Sequence, residues 1–184
     1  MTPVYDLLLP VSRESDILPN WQGTPIGDLL RYHNLGAPYR DYTRAELLIG
    51  MCMDNRKSLR VPDNFAFILR AGGANLRRVE FKVSFAIALG GVRAICLIGH
   101  DDCGMVSLPH RRQEFIDGLV ANGGWTPDDA AAHYDRHAAE FGIGDAAEFV
   151  RDEAVRLRAR YPRVLVAPLF YTVGDGLLHQ ILER

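Results

Sequence analysis

The sequence predicts an α/β fold with a mostly parallel central sheet flanked by helices. Three observations carry that expectation. Short, mainly apolar runs at 45–51, 65–69 and 92–98 have the length and composition of strands buried on both faces. A helix-length segment, 77–89, joins the second run to the third through short connections, as in a βαβ unit. The chain of 184 residues matches one domain and is long enough to bury a sizeable core.

Residues 1–43 are punctuated by Pro3, Pro10, Pro19, Pro25 and Pro38 and carry one helical candidate at 25–32, with Thr24 as cap and Pro25 in the first turn. With so little core of their own, they read as an N-terminal arm packed on a partner subunit. Residues 44–184 read as a single α/β domain. Within it, 77–89 is apolar on most sides (Val79, Phe81, Val83, Phe85, Ile87, Leu89) and ends at Gly90-Gly91. The second half is mostly helical. A helix at 114–121 stops at Gly123-Gly124. Thr126-Pro127-Asp128-Asp129 opens the next, to about residue 141. Asp145 caps a third over 146–161, with Arg156, Arg158 and Arg160 in its last turns. Residues 164–173 are β-rich, and 177–182 return from the Gly174-Asp175-Gly176 turn as a hairpin. No repeat or low-complexity segment interrupts the pattern.

Composition excludes several classes. A net charge of −2 gives no field suited to nucleic acid or an anionic membrane. Apolar stretches such as 7–9 and 164–169 are too short to span a bilayer. The N-terminus does not read as a secretory signal, because Asp6 precedes its apolar run, Pro10 ends it and no basic segment comes first. Three cysteines make a disulfide framework improbable and point to a reducing cytoplasm, where thiols are free to bind metal.

Ligands of open parallel sheets bind beyond the carboxyl ends of the strands. The first apolar run ends in C-M-D-N-R at 52–56 and the third in G-H-D-D-C-G at 99–104. Cys52, His100 and Cys103 thus form a soft Cys₂His set suited to Zn²⁺, with a fourth position left open as in catalytic rather than structural sites. The competing reading makes Cys52 and Cys103 small buried hydrophobes and His100 a satisfied turn residue. Cys96, inside its strand, reads as structural. Asp54 lies close enough to a metal at Cys52 to orient a water held there, and Arg56 would keep that carboxylate ionised and aimed. The alternative is a surface ion pair worth little. Glycine backbone at Gly72-Gly73 is read as approaching the substrate pocket.

Other motifs fall away. The glycine spacing at 99–104 is P-loop-like, but Met105 and Val106 stand where Lys and Ser/Thr are required, and no G-x-G-x-x-G follows a strand. His133 and His137 share a helical face without a third ligand nearby. The arginines of 151–163 alternate with acids and read as a solvated face.

C-M-D-N-R, R-A-G-G at 70–73 and G-H-D-D-C-G-M at 99–105 resemble the β-class carbonic anhydrases, in particular their short single-domain branch, whose motifs are C-x-D-x-R and H-x-x-C. The likeness covers 44–108 well, 146–182 loosely and 1–43 hardly at all. Asn55 stands where Ser is usual, and R-A-G-G is one residue short of the usual spacing. The resemblance implies a β-carbonic-anhydrase-like fold with an N-terminal arm and Zn²⁺ on Cys52, His100 and Cys103. It implies reversible hydration of CO₂ to bicarbonate and a proton, with Asp54 and Arg56 as the orienting pair. It also implies a homodimer or higher homo-oligomer with exchanged N-terminal segments, and a closed state in which Asp54 is the fourth zinc ligand. A zinc hydrolase for CS₂ or COS, and an inactive member serving as a binding or assembly module, remain as alternatives.

Overall fold

The computed structural model describes residues 7–183. The first six residues of the expected arm, and Arg184, lie outside the described residues. In chain order the elements are β1 (Leu8–Pro10), α1 (Pro25–His33), β2 (Leu47–Met51), β3 (Ala66–Arg70), α2 (Glu80–Ala88), β4 (Ala94–His100), α3 (Gly104–Ser107), α4 (Arg112–Gly123), α5 (Pro127–Phe141), α6 (Ala146–Arg160), β5 (Leu165–Thr172) and β6 (Leu177–Ile181). Six strands form one sheet in the order β1-β6-β5-β4-β2-β3. The four strands β3, β2, β4 and β5 run parallel, while β6 and β1 complete the sheet antiparallel.

The runs lack a polar alternate face because both faces of the sheet are covered. Successive side chains alternate between two cores. Leu48, Ile95, Leu97 and Val166 face one, packed with Val83 and Ala86 of α2 and Val150, Ala154 and Leu157 of α6. Leu47, Ile49, Cys96, Ile98 and Leu169 face the other, packed with Ile26, Leu29 and Leu30 of α1. Val11 and Ile17 join this second core. These described residues of the expected arm pack on the chain's own sheet. Cys96 lies in the second core, away from the other two cysteines.

The helix ends follow their local chemistry. Thr24 accepts the Gly27 N–H with Pro25 in the first turn of α1, and Thr126 does the same for Asp129 at α5. Asp145 accepts the N–H groups of Ala147 and Glu148 at α6. Gly124, at φ 69°, closes α4 in the left-handed region. The expected helix over 77–89 is α2 preceded by a single tight turn at Arg77–Val79. It keeps an apolar outer side, with Phe81 83% and Leu89 76% exposed. α4 and α5 form a helical hairpin that buries few residues, chiefly Ile116, Ala130 and Tyr134.

Two differences from the sequence reading matter for the site. β4 begins two residues later than expected and runs through His100, so this imidazole is held inside the strand opposite Tyr171 of β5. The run ending at Pro10 is a strand, β1, too short to show a period. Its proline is tolerated because β1 is an edge strand.

Candidate metal centre

β2 and β4 are hydrogen-bonded parallel neighbours, with Met51 opposite Ile98, so the residues that follow them emerge side by side. Cys52 follows β2 directly, His100 closes β4, and Cys103 precedes α3. All three are buried, and one ligand atom from each lies within 4.8 Å of the others. The Cys52 and Cys103 sulfurs are 4.0 Å apart. Two sulfurs each ~2.3 Å from one tetrahedral ion would be separated by about 3.8 Å, so the spacing fits zinc.

His100 gives the decisive detail. Its Nδ1 lies 2.7 Å from the Asp101 carbonyl oxygen, which can only accept, so Nδ1 carries the proton. Nε2 is then the lone-pair nitrogen. Among the described residues it is buried without a hydrogen-bond partner, which a satisfied turn histidine would not be. The thiols show the same unmet demand. Cys52 is pulled down to about 3, first by the Cys103 S–H, with the Gly73 N–H helping against burial, while Cys103 is pushed up by its charged neighbour and by burial. The pair gives up a first proton easily and a second reluctantly, a conflict that a divalent cation between the sulfurs removes. The donor set, its burial and its orphaned nitrogen fit zinc. Burial alone pushes the Cys96 thiol up, as expected of a structural cysteine.

Asp54 and Arg56 meet as expected and more completely. Oδ1 accepts the Arg56 backbone N–H at 2.9 Å and Nε at 3.1 Å; Oδ2 accepts Nε at 3.1 Å and Nη2 at 2.6 Å. This fork, opposed by desolvation, holds the Asp54 carboxyl well below the usual carboxylate range. Arg56 also spans to the other motif, donating to Asp102 Oδ2 at 2.6 Å and to the Asp102 carbonyl at 2.9 Å. Asp54 faces these cations and is not part of the Cys52–His100–Cys103 cluster.

Gly72 and Gly73 reach the centre through the main chain. The Gly73 N–H lies 3.3 Å from the Cys52 sulfur and donates to it. Gly73 has φ +61°, and a Cβ there would come within 2.7 Å of Ile143; one on Gly72 would come within 2.7 Å of Met105. Glycine at both positions thus permits close packing behind the sulfur as well as the N–H contact.

Three residues of the site receive no role in the sequence reading, although Arg70 and Asp102 stand inside its motifs. Arg70, at the end of β3 opposite Met51, donates from Nη1 to the carbonyls of Cys52 and Asp54 and from Nη2 to that of Lys57, clamping the 52–57 loop. Asp102 takes a positive φ of 51°, a strained backbone that turns its carbonyl and carboxylate to Arg56. Lys57 is buried, with Nζ 3.6 Å from Asp54 Oδ1. Arg70 is detectable as a charge ending a parallel strand; Asp102 and Lys57 carry no local signal. His133 and His137 on α5 lie 4.9 Å apart between centroids with their rings tilted at 59°, outside any metal-ligand group among the described residues.

Comparison with known proteins places this geometry on a familiar frame. No protein-family model matches the chain, and no curated protein matches it by sequence. Solved structures do match. The carbonic anhydrase from Streptococcus mutans aligns with TM-score 0.61 at 20% identity, over 85% of this chain and 95% of that one. The β-carbonic anhydrase isoform I from Trichomonas vaginalis aligns with TM-score 0.62 at 16% identity, over 81% and 90%. The apo form of a carbon disulfide hydrolase aligns with TM-score 0.56 at 18% identity, over 85% of each chain. The chain has the fold of the β-class carbonic anhydrases. Among the described residues no helix is long and apolar enough to cross a membrane.

Proposed function

We propose that the chain is a zinc-dependent β-class carbonic anhydrase that interconverts CO₂ and bicarbonate. One observation carries the reading: the unpartnered Nε2 of buried His100 beside two thiols 4.0 Å apart, at the carboxyl edge of that fold. Zinc on Cys52, His100 and Cys103 supplies the Lewis acidity that brings the pKa of water down to about 7. The protein's groups set the geometry. The Asp101 carbonyl fixes the His100 ring, and the Gly73 N–H steadies the Cys52 sulfur. Asp54, ionised and clamped by Arg56, accepts a hydrogen bond from the attacking water and turns its lone pair toward the carbon of CO₂. Gly72 and Gly73 line this side with backbone. The working unit is a homodimer or higher homo-oligomer, supported by the exposed apolar side of α2. Three free thiols suit a cytoplasmic setting.

Stopped-flow CO₂ hydration on protein of measured zinc content tests the proposal, with turnover expected to scale with bound zinc. The likeness to a carbon disulfide hydrolase supports a second reading, in which pocket shape selects CS₂ or COS. Turnover of either one without CO₂ hydration would favour it. A zinc-loaded chain inert toward all three would be a binding or assembly module.

A further inference from the structure

Lys57 has no part in the reading above, yet its position is unusual. The residue is 2% exposed and among the largest fully buried side chains. Its ammonium carries three N–H donors and makes no hydrogen bond among the described residues. Its one ion pair among the described residues is the 3.6 Å approach to Asp54. The Asp54 oxygens also take four contacts from Arg56. Lys57 is short of acceptors.

Burial disfavours the Lys57 charge; the charges at Cys52, Asp54 and Cys103 oppose that effect. The ammonium therefore sits in the field of both thiols as well as the carboxylate. Charge counting sharpens the point. Two thiolates and a neutral imidazole leave a zinc ion with no net charge, and Arg56 is outnumbered by Asp54 and Asp102. Lys57 brings that second group to neutrality. A filling role in the core would be met by an aliphatic side chain with no charge to bury.

We propose that Lys57 is a substrate-holding residue, whose buried ammonium donates to the oxygens of a small monovalent oxyanion at the open side of the Cys52–His100–Cys103 set. The inference rests on the proposed reaction, in which that anion is bicarbonate.

The test uses the full chain loaded with cobalt(II) in place of zinc, titrated with bicarbonate and followed by visible absorption. Lys57→Met keeps the length and apolar stem of the side chain and removes the charge; Lys57→Gln keeps a donor without the charge and serves if Lys57→Met fails to fold. Loss of a charge-assisted hydrogen bond is expected to weaken bicarbonate about tenfold or more. Cobalt content and the affinity for neutral imidazole should stay unchanged, and Lys57→Arg should recover part of the loss. Metal-loaded wild type and variant with equal bicarbonate affinity overturn this inference alone. A wild-type chain that takes up neither cobalt nor zinc overturns it together with the metal reading.

Discussion

Both oxygens of Asp54 are committed to Arg56, so the carboxylate is a fixed, ionised acceptor rather than a mobile one. Replacing it by Asn keeps the shape but puts an NH₂ where an acceptor is required and leaves Arg56 with Asp102 alone. Asp54→Asn is expected to retain zinc and to lower CO₂ hydration by about 10²-fold or more; equal rates at equal zinc would remove the carboxylate from the mechanism. Cys52, Asp54, Arg56, His100 and Cys103 were legible because donor-type residues stand directly after predicted strands. Lys57 was not. A lysine in a polar loop reads as solvated, and its burial depends on how the 52–57 loop is folded back by Arg70, which no neighbouring residue encodes.

His33 shows how an element is tied to the sheet. It ends α1, is buried, accepts the Arg60 backbone N–H on Nδ1 and donates from Nε2 to the Gly176 carbonyl. Accepting on Nδ1 requires the neutral ring, since a protonated imidazole has no lone pair there. Burial lowers its pKa, with the Gly176 carbonyl opposing and Arg60 assisting. The unfolded chain then takes up a proton near pH ~6.5 that the folded chain refuses. This stabilisation is complete above that pH and is lost as pH falls toward the lower, folded value. Urea unfolding from pH 7.5 to 5 should show decreasing stability, with the slope reduced in His33→Gln; parallel slopes would contradict the assignment. Helices α1, α2, α4, α5 and α6 and strands β2 to β6 are readable because caps, glycine stops and apolar runs are local features. β1 was not, since three residues and a proline show no alternation and only the pairing of Leu8 with Ile181 makes them a strand.

For the molecule as a whole, the parallel order of β2 and β4 brings residues 51 positions apart in sequence to one buried point. Burial is less complete elsewhere. Phe81, Phe85 and Leu89 of the α2 region and Phe67 and Ile68 of edge strand β3 leave large apolar side chains in solvent. Light scattering at micromolar concentration should give at least a dimer, and Phe81→Asp together with Leu89→Asp should shift it toward monomer. A wild-type monomer would contradict this expectation.

The central claim is that Cys52, His100 and Cys103 hold a zinc ion with one position open. X-ray absorption at the zinc edge, on protein purified without added metal, tests it most directly. The account predicts about one zinc per chain, with two sulfurs at ~2.3 Å, one imidazole nitrogen at ~2.0–2.1 Å and a single further light ligand. The imidazole contribution should vanish in His100→Ala. A chain without zinc, or a shell lacking the two sulfurs, would contradict it.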